Sequence, residues 1–142
     1  MYFVCLDNYP FLGSIQMVKK NSKSAPTLLH HCGGALISTK HVLTAAHYFD
    51  DSLNPNDFYV LFGHTDVFVD WNQIAIIEDL YGAWKIIVHE GYAKELELFF
   101  YDIAIIVLIR PVKFKPNIEL AKLTNIKNPR GIFYDKGKIH LK

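Results

Sequence analysis

The sequence predicts an all-β domain on three observations. Short apolar runs recur at regular spacing, turn-forming residues separate them, and helical periodicity is nowhere sustained. The runs are Gly13 to Lys20, Leu28 to Cys32, Ala35 to Ile37, Val42 to Ala45, Phe58 to Phe62, Gln73 to Glu78, Trp84 to His89 and Ile103 to Ile109. Between them lie Asn21 to Pro26, Ser38 with Thr39, Asn54 to Asn56, Gly82, and Glu90 with Gly91. These residues bend the chain through short polar side chains, a fixed φ or a missing Cβ. Strands of this length and spacing read as a small antiparallel barrel or sandwich. One helical turn is expected at Ala45 to Phe49, with Thr44 as its N-cap. The proline-spaced stretch from Pro111 to Pro129 reads as an exit strand followed by a linker.

Composition narrows the function classes. A chain of 142 residues is one domain by length, and its 51% hydrophobic content suffices for a single core. The net charge is +1, and the basic residues are scattered with no run and no interleaved aromatics. Neither a nucleic acid nor an anionic membrane is therefore expected as a partner. The longest wholly apolar run, Ile103 to Ile109, is far shorter than the roughly 20 residues that a helical span needs. At the start, MYFVCLDNYP lacks a basic n-region and Asp7 interrupts its apolar stretch, so it does not read as a secretory signal peptide.

Two stretches carry the chemistry. HCGGALISTKHVLTAAH, from His31 to His47, puts a histidine after two small residues at the end of a strand. YDIAIIVLIRPVKF, from Tyr101 to Phe114, puts a lone aspartate at the head of an apolar one. A lone carboxylate at the edge of a core is costly unless it has a partner, and an imidazole is a natural one. The histidines His30, His31, His41 and His47 could suggest a metal site instead. Neighbours in a strand point to opposite faces, however, and no cysteine or carboxylate spacing completes a zinc set, so neither metal nor cofactor is expected.

The two stretches resemble the His and Asp blocks of trypsin-like serine proteases, the chymotrypsin family. YPFLGSIQ (Tyr9 to Gln16) resembles that family's first strand, and IIVHEGY (Ile86 to Tyr92) the strand and turn before the aspartate loop. RPVKFKPNIELAKL (Arg110 to Leu123) resembles the crossover between the family's two barrels. In this order the blocks cover most of Tyr9 to Leu123. The resemblance implies a single six-stranded antiparallel barrel, the first of a double-barrel fold, over 1–127 with the crossover, and an unassigned tail at 128–142. It implies serine endopeptidase chemistry, with His47 as general base and Asp102 as the carboxylate that orients it. Protein or peptide substrates, protease inhibitors and the missing second barrel follow as partners, and an extracellular location with them.

Several departures from the family matter. Its order is His, Asp, Ser, yet Ser14, Ser22, Ser24, Ser38 and Ser52 all precede Asp102. The Gly-Asp-Ser-Gly-Gly block is absent, so the polypeptide as written is expected to be an inactive fragment or truncated form, while a full-length form is expected to be active. The alternative is a non-catalytic homologue that serves as a protein-binding module. The family ties the cysteine of its HCGG-like block to a cysteine just after the histidine, where Tyr48 stands here. Whether Cys32 pairs with Cys5, the other cysteine, or stays a buried thiol is left open by the sequence. The family commonly has Asn before the aspartate, whereas here Tyr101 follows Leu98, Phe99 and Phe100.

Overall fold

A computed structural model describes residues 8–95, 98–123, 132–135 and 138–141. Six strands close into one antiparallel barrel: β1 (Leu12–Asn21), β2 (Ser24–Leu36), β3 (His41–Thr44), β4 (Phe58–Phe62), β5 (Leu80–Val88) and β8 (Ala104–Leu108). Around the barrel they run β1-β2-β3-β8-β5-β4, with β4 pairing back onto β1. The expected six-stranded antiparallel barrel is borne out.

Alternating burial along the strands builds the interior. Ile15, Leu36, Val42, Val60, Phe62 and Ile106 are fully buried. Closure requires a glycine on β1, because a Cβ on Gly13 would lie 2.6 Å from Phe62 Cε1 and 2.8 Å from Val60 Cγ1. Gln16 is also fully buried, but on the opposite face of β1 from Ile15, where it pairs with Tyr59 of β4 and its amide donates to Ser14 Oγ at 2.6 Å. It lies beneath the loop that follows β4, where its amide nitrogen donates to Val67 O at 3.1 Å. Val18, Leu28, Leu61, Val69 and Leu80 form a second, smaller cluster of buried side chains.

Several elements differ from the sequence reading, each for a physical reason. Leu28 to Cys32 and Ala35 with Leu36 belong to one long strand running through Gly33 and Gly34, and Ile37 lies just beyond its end. Gln73 to Glu78 is not a strand. Asp70 caps a 3-10 turn at Trp71–Gln73 by accepting from Asn72 N at 2.9 Å, and Ile76 faces solvent. The turn after β3 is present as a 3-10 helix at Ala46–Phe49, but Ala45 is its N-cap and no side chain caps it. Thr44 Oγ1 donates instead to Gly33 O at 2.9 Å, tying β3 to β2.

Residues 111–123 form no exit strand. Val112 and Ile118 are buried, and backbone bonds from Val112 to Thr39, from Glu119 to Pro10 and from Ala121 to Leu36 fasten this segment to the barrel. Two hairpins stand apart from the barrel: β6 (Ala93–Glu95) with β7 (Leu98–Phe100), and β9 (Ile132–Asp135) with β10 (Lys138–Leu141). The second occupies part of the segment read as a tail. Cys5 lies outside the described residues, and Cys32 is a buried free thiol.

Candidate active site

Strand register brings His47 and Asp102 together. β3 pairs with β8 so that Thr44 faces Ala104, which leaves His47, three residues beyond Thr44, beside Asp102, two residues before Ala104. Ala46 and Phe49 bury the inner side of the 3-10 turn and turn the imidazole to the rim of the barrel. His47 Nδ1 lies 2.6 Å from Asp102 Oδ2, and the His47 amide donates to Asp102 Oδ1 at 2.8 Å. One carboxylate thus holds both the backbone and the ring of the same histidine.

Burial pushes the Asp102 carboxyl toward the neutral form. The hydrogen bonds from the His47 amide and ring, the imidazole charge and the Ala46 amide together outweigh it, so its pKa lies below the usual carboxylate value. An ionised carboxylate only accepts, so Nδ1 carries the proton and the lone pair of the neutral ring is on Nε2. The side chains keep 32% and 22% of their exposure, so the imidazole remains within reach of a substrate. Such a ring can accept a proton at Nε2 while its other nitrogen stays anchored.

Aromatic rings frame the imidazole. Tyr48 lies 4.0 Å from it, centroid to centroid, and Phe99 of β7 lies 5.0 Å away. Tyr92, at the foot of the β6–β7 hairpin, donates to Asp50 Oδ1 at 2.8 Å. Its pKa is pushed up to about 12 by burial, by that bond and by the charges of Asp50 and Asp102. The sequence alone assigns none of these three side chains to the site, although Phe99 lies in the apolar run Leu98 to Tyr101 before Asp102 and Tyr92 ends the IIVHEGY stretch. Where the family places a disulfide, His31 reaches Tyr48: its Nε2–H donates to the carbonyl at 2.7 Å and the rings meet edge to face. Burial, only partly offset by a hydrogen bond with Thr44, raises the Cys32 thiol to a pKa of about 11.

The remaining candidates lie elsewhere. His30 pairs with Ser14 at 2.6 Å and His41 with Ser38 at 2.6 Å. Among the described residues no cluster of three His, Cys, Asp or Glu side chains is arranged to hold a metal. Ser52 donates to Asp57, and no serine hydroxyl is hydrogen-bonded to His47 among the described residues.

Comparison with known proteins gives a consistent picture. The family model described as Trypsin matches residues 7–132. Coagulation factor XI of Bos taurus is 39% identical over 87 residues, covering 60% of this chain and 13% of that protein. The venom peptide isomerase heavy chain of Agelenopsis aperta is 34% identical over 106 residues, 74% of this chain and 40% of that one. Chymotrypsin-C of Mus musculus is 32% identical over 115 residues, 81% and 38% respectively. The chain therefore spans well under half the length of these relatives.

Proposed function

The chain belongs to the trypsin family of serine proteases, and on that premise we propose that it is the His- and Asp-bearing half of a serine endopeptidase. His47 is the general base and Asp102 the carboxylate that fixes its tautomer. What supports the reading above all is the two-point contact, in which Asp102 holds the Nδ1 and the amide of His47 at 2.6 and 2.8 Å. In the reaction, His47 Nε2 takes the proton of a serine hydroxyl as that oxygen attacks a peptide carbonyl. Asp102 stays ionised and stabilises the imidazolium, which then returns the proton to the leaving amine. No metal or cofactor has a role in this sequence of steps.

The nucleophile and the donors for the oxyanion come, on this reading, from a second barrel that follows the crossover within 1–127, leaving 128–142 unassigned. The whole protein acts outside the cell on protein or peptide substrates and meets protease inhibitors there. The test begins with transcript sequence downstream of the Lys142 codon, which should encode a Gly-Asp-Ser-Gly-Gly block. The longer protein should then react with a fluorophosphonate probe and lose that labelling on His47→Ala. A long open frame with no such block would overturn the reading in favour of a non-catalytic binding module.

A further inference from the structure

Asp102 faces His47 because the chain turns sharply at the residue before it. Tyr101 has φ of 49°, in the left-handed region where a Cβ crowds the following carbonyl. Glycine or asparagine enters this region readily, whereas a bulky side chain does so only when its surroundings hold it there. Ile103 N donates to Tyr101 O at 2.7 Å, closing a three-residue turn with Asp102 at its apex. The direction of the Asp102 carboxylate therefore depends on the strained residue beside it.

The surroundings of Tyr101 supply the restraint. Its ring lies parallel to the His89 imidazole, with centroids 4.9 Å apart and planes 6° from coplanar. His89 is itself fixed at three points: Nδ1 accepts from Gly91 N at 3.0 Å, its amide donates to Ile103 O at 3.0 Å, and its carbonyl accepts from Tyr92 N at 2.9 Å. Gly91 leaves room for the stack, since a Cβ there would lie 2.9 Å from Tyr101 Cδ2.

We propose that the His89–Tyr101 stack is a positioning clasp: it holds the left-handed backbone of Tyr101 and so aims Asp102 at His47. His89 and Tyr101 are positioning residues that act through Asp102. The inference rests on the catalytic reading of His47 and Asp102, but its test reads their hydrogen bonds directly and needs no hydrolysis. Failure of the clasp is thus distinguishable from failure of the protease assignment.

The experiment uses proton NMR on the 142-residue chain. It follows the downfield resonance of the His47 Nδ1 proton and the exchange rate of the His47 amide, with amides of β1 as the internal reference. His89→Ala should broaden or abolish the downfield resonance and speed His47 amide exchange about tenfold, with the β1 amides unaffected. Adding Tyr101→Gly to His89→Ala should restore both signals, because glycine takes a positive φ without a clasp. Unchanged signals in His89→Ala would overturn the proposal, as would a double variant no better than the single one. If His89→Ala does not fold, the double variant decides alone: a folded chain with both signals supports the clasp, and an unfolded one overturns it.

Discussion

Asp102 is the carboxylate whose environment matters most, and its depressed pKa sets a direction for stability. A carboxyl that titrates lower in the folded chain than in the unfolded one stabilises the fold above its unfolded pKa and loses that contribution as pH falls through the folded one. Asp102→Asn should therefore cost about 1–2 kcal/mol at neutral pH, the size of a partly exposed charged hydrogen-bond pair. The cost should shrink below about pH 4, where the carboxyl of the unfolded chain begins to protonate while the folded one is still ionised, and it should vanish as pH falls through the folded pKa. Urea titrations of both proteins from pH 7 down to pH 3 read it directly, and a pH-independent gap would contradict the assignment. Cys32 gives a second prediction at this scale. With its pKa raised to about 11 and its side chain buried, the thiol is almost wholly protonated at pH 8. Iodoacetamide should leave Cys32 unmodified in the native chain and alkylate it in urea, as peptide mapping would show; rapid native alkylation would place the thiol at the surface.

Among the elements, the contact between β2 and the turn that carries His47 is this chain's substitute for a covalent link. His31 donates to Tyr48 O at 2.7 Å and packs against both Tyr48 and Phe58, so it joins the strand to the turn and to the core. His31→Ala removes the bond and both ring contacts. It should lower the urea midpoint by an amount equivalent to about 1–3 kcal/mol with an unchanged m value, whereas a shift under about 0.5 kcal/mol would mean that the turn is held elsewhere. The same scale shows how much was legible in the sequence. Most of the barrel strands were legible as local apolar runs, whereas the approach of Asp102 to His47, 55 residues apart, followed only from the resemblance of the two signature blocks to a known family. Ile74 to Ile77 misled, since a short apolar run reads alike as a strand or as a loop turned over the barrel wall, and the Asp70 cap decides for the turn. Thr44 misled because its hydroxyl had a better acceptor in Gly33 O, across the sheet and invisible in sequence. The Phe99 and Tyr48 rings around His47 were hidden for the same reason: the hairpin and the turn meet only in three dimensions.

For the whole molecule, the decisive quantity is how much apolar surface the barrel leaves uncovered. Leu98, Phe100, Tyr101 and Ile103 are exposed close to Asp102, and Trp84, Ile109 and Phe114 are exposed elsewhere on the barrel and its crossover. A net charge of +1 supplies little long-range repulsion to keep copies apart. Contiguous apolar patches beyond a few hundred Å² are uncommon on soluble monomers and mark an interface or an aggregation hazard. On the half-enzyme reading such surface faces a second barrel and a substrate chain. The 142-residue polypeptide should therefore dimerise at micromolar concentration, bind a hydrophobic dye strongly, and turn over no peptide amide, since on the same reading the nucleophile and the oxyanion donors belong to the second barrel. Sedimentation, dye fluorescence and a peptide assay with a His47→Ala control check the three together. The longer protein with its second barrel should be monomeric, dye-poor and active. If the 142-residue chain is instead a monodisperse monomer at high micromolar concentration with little dye binding, its apolar side chains are too dispersed to form an interface. The self-sufficient binding module then becomes the better account, because a barrel that stays soluble alone needs no partner to cover it.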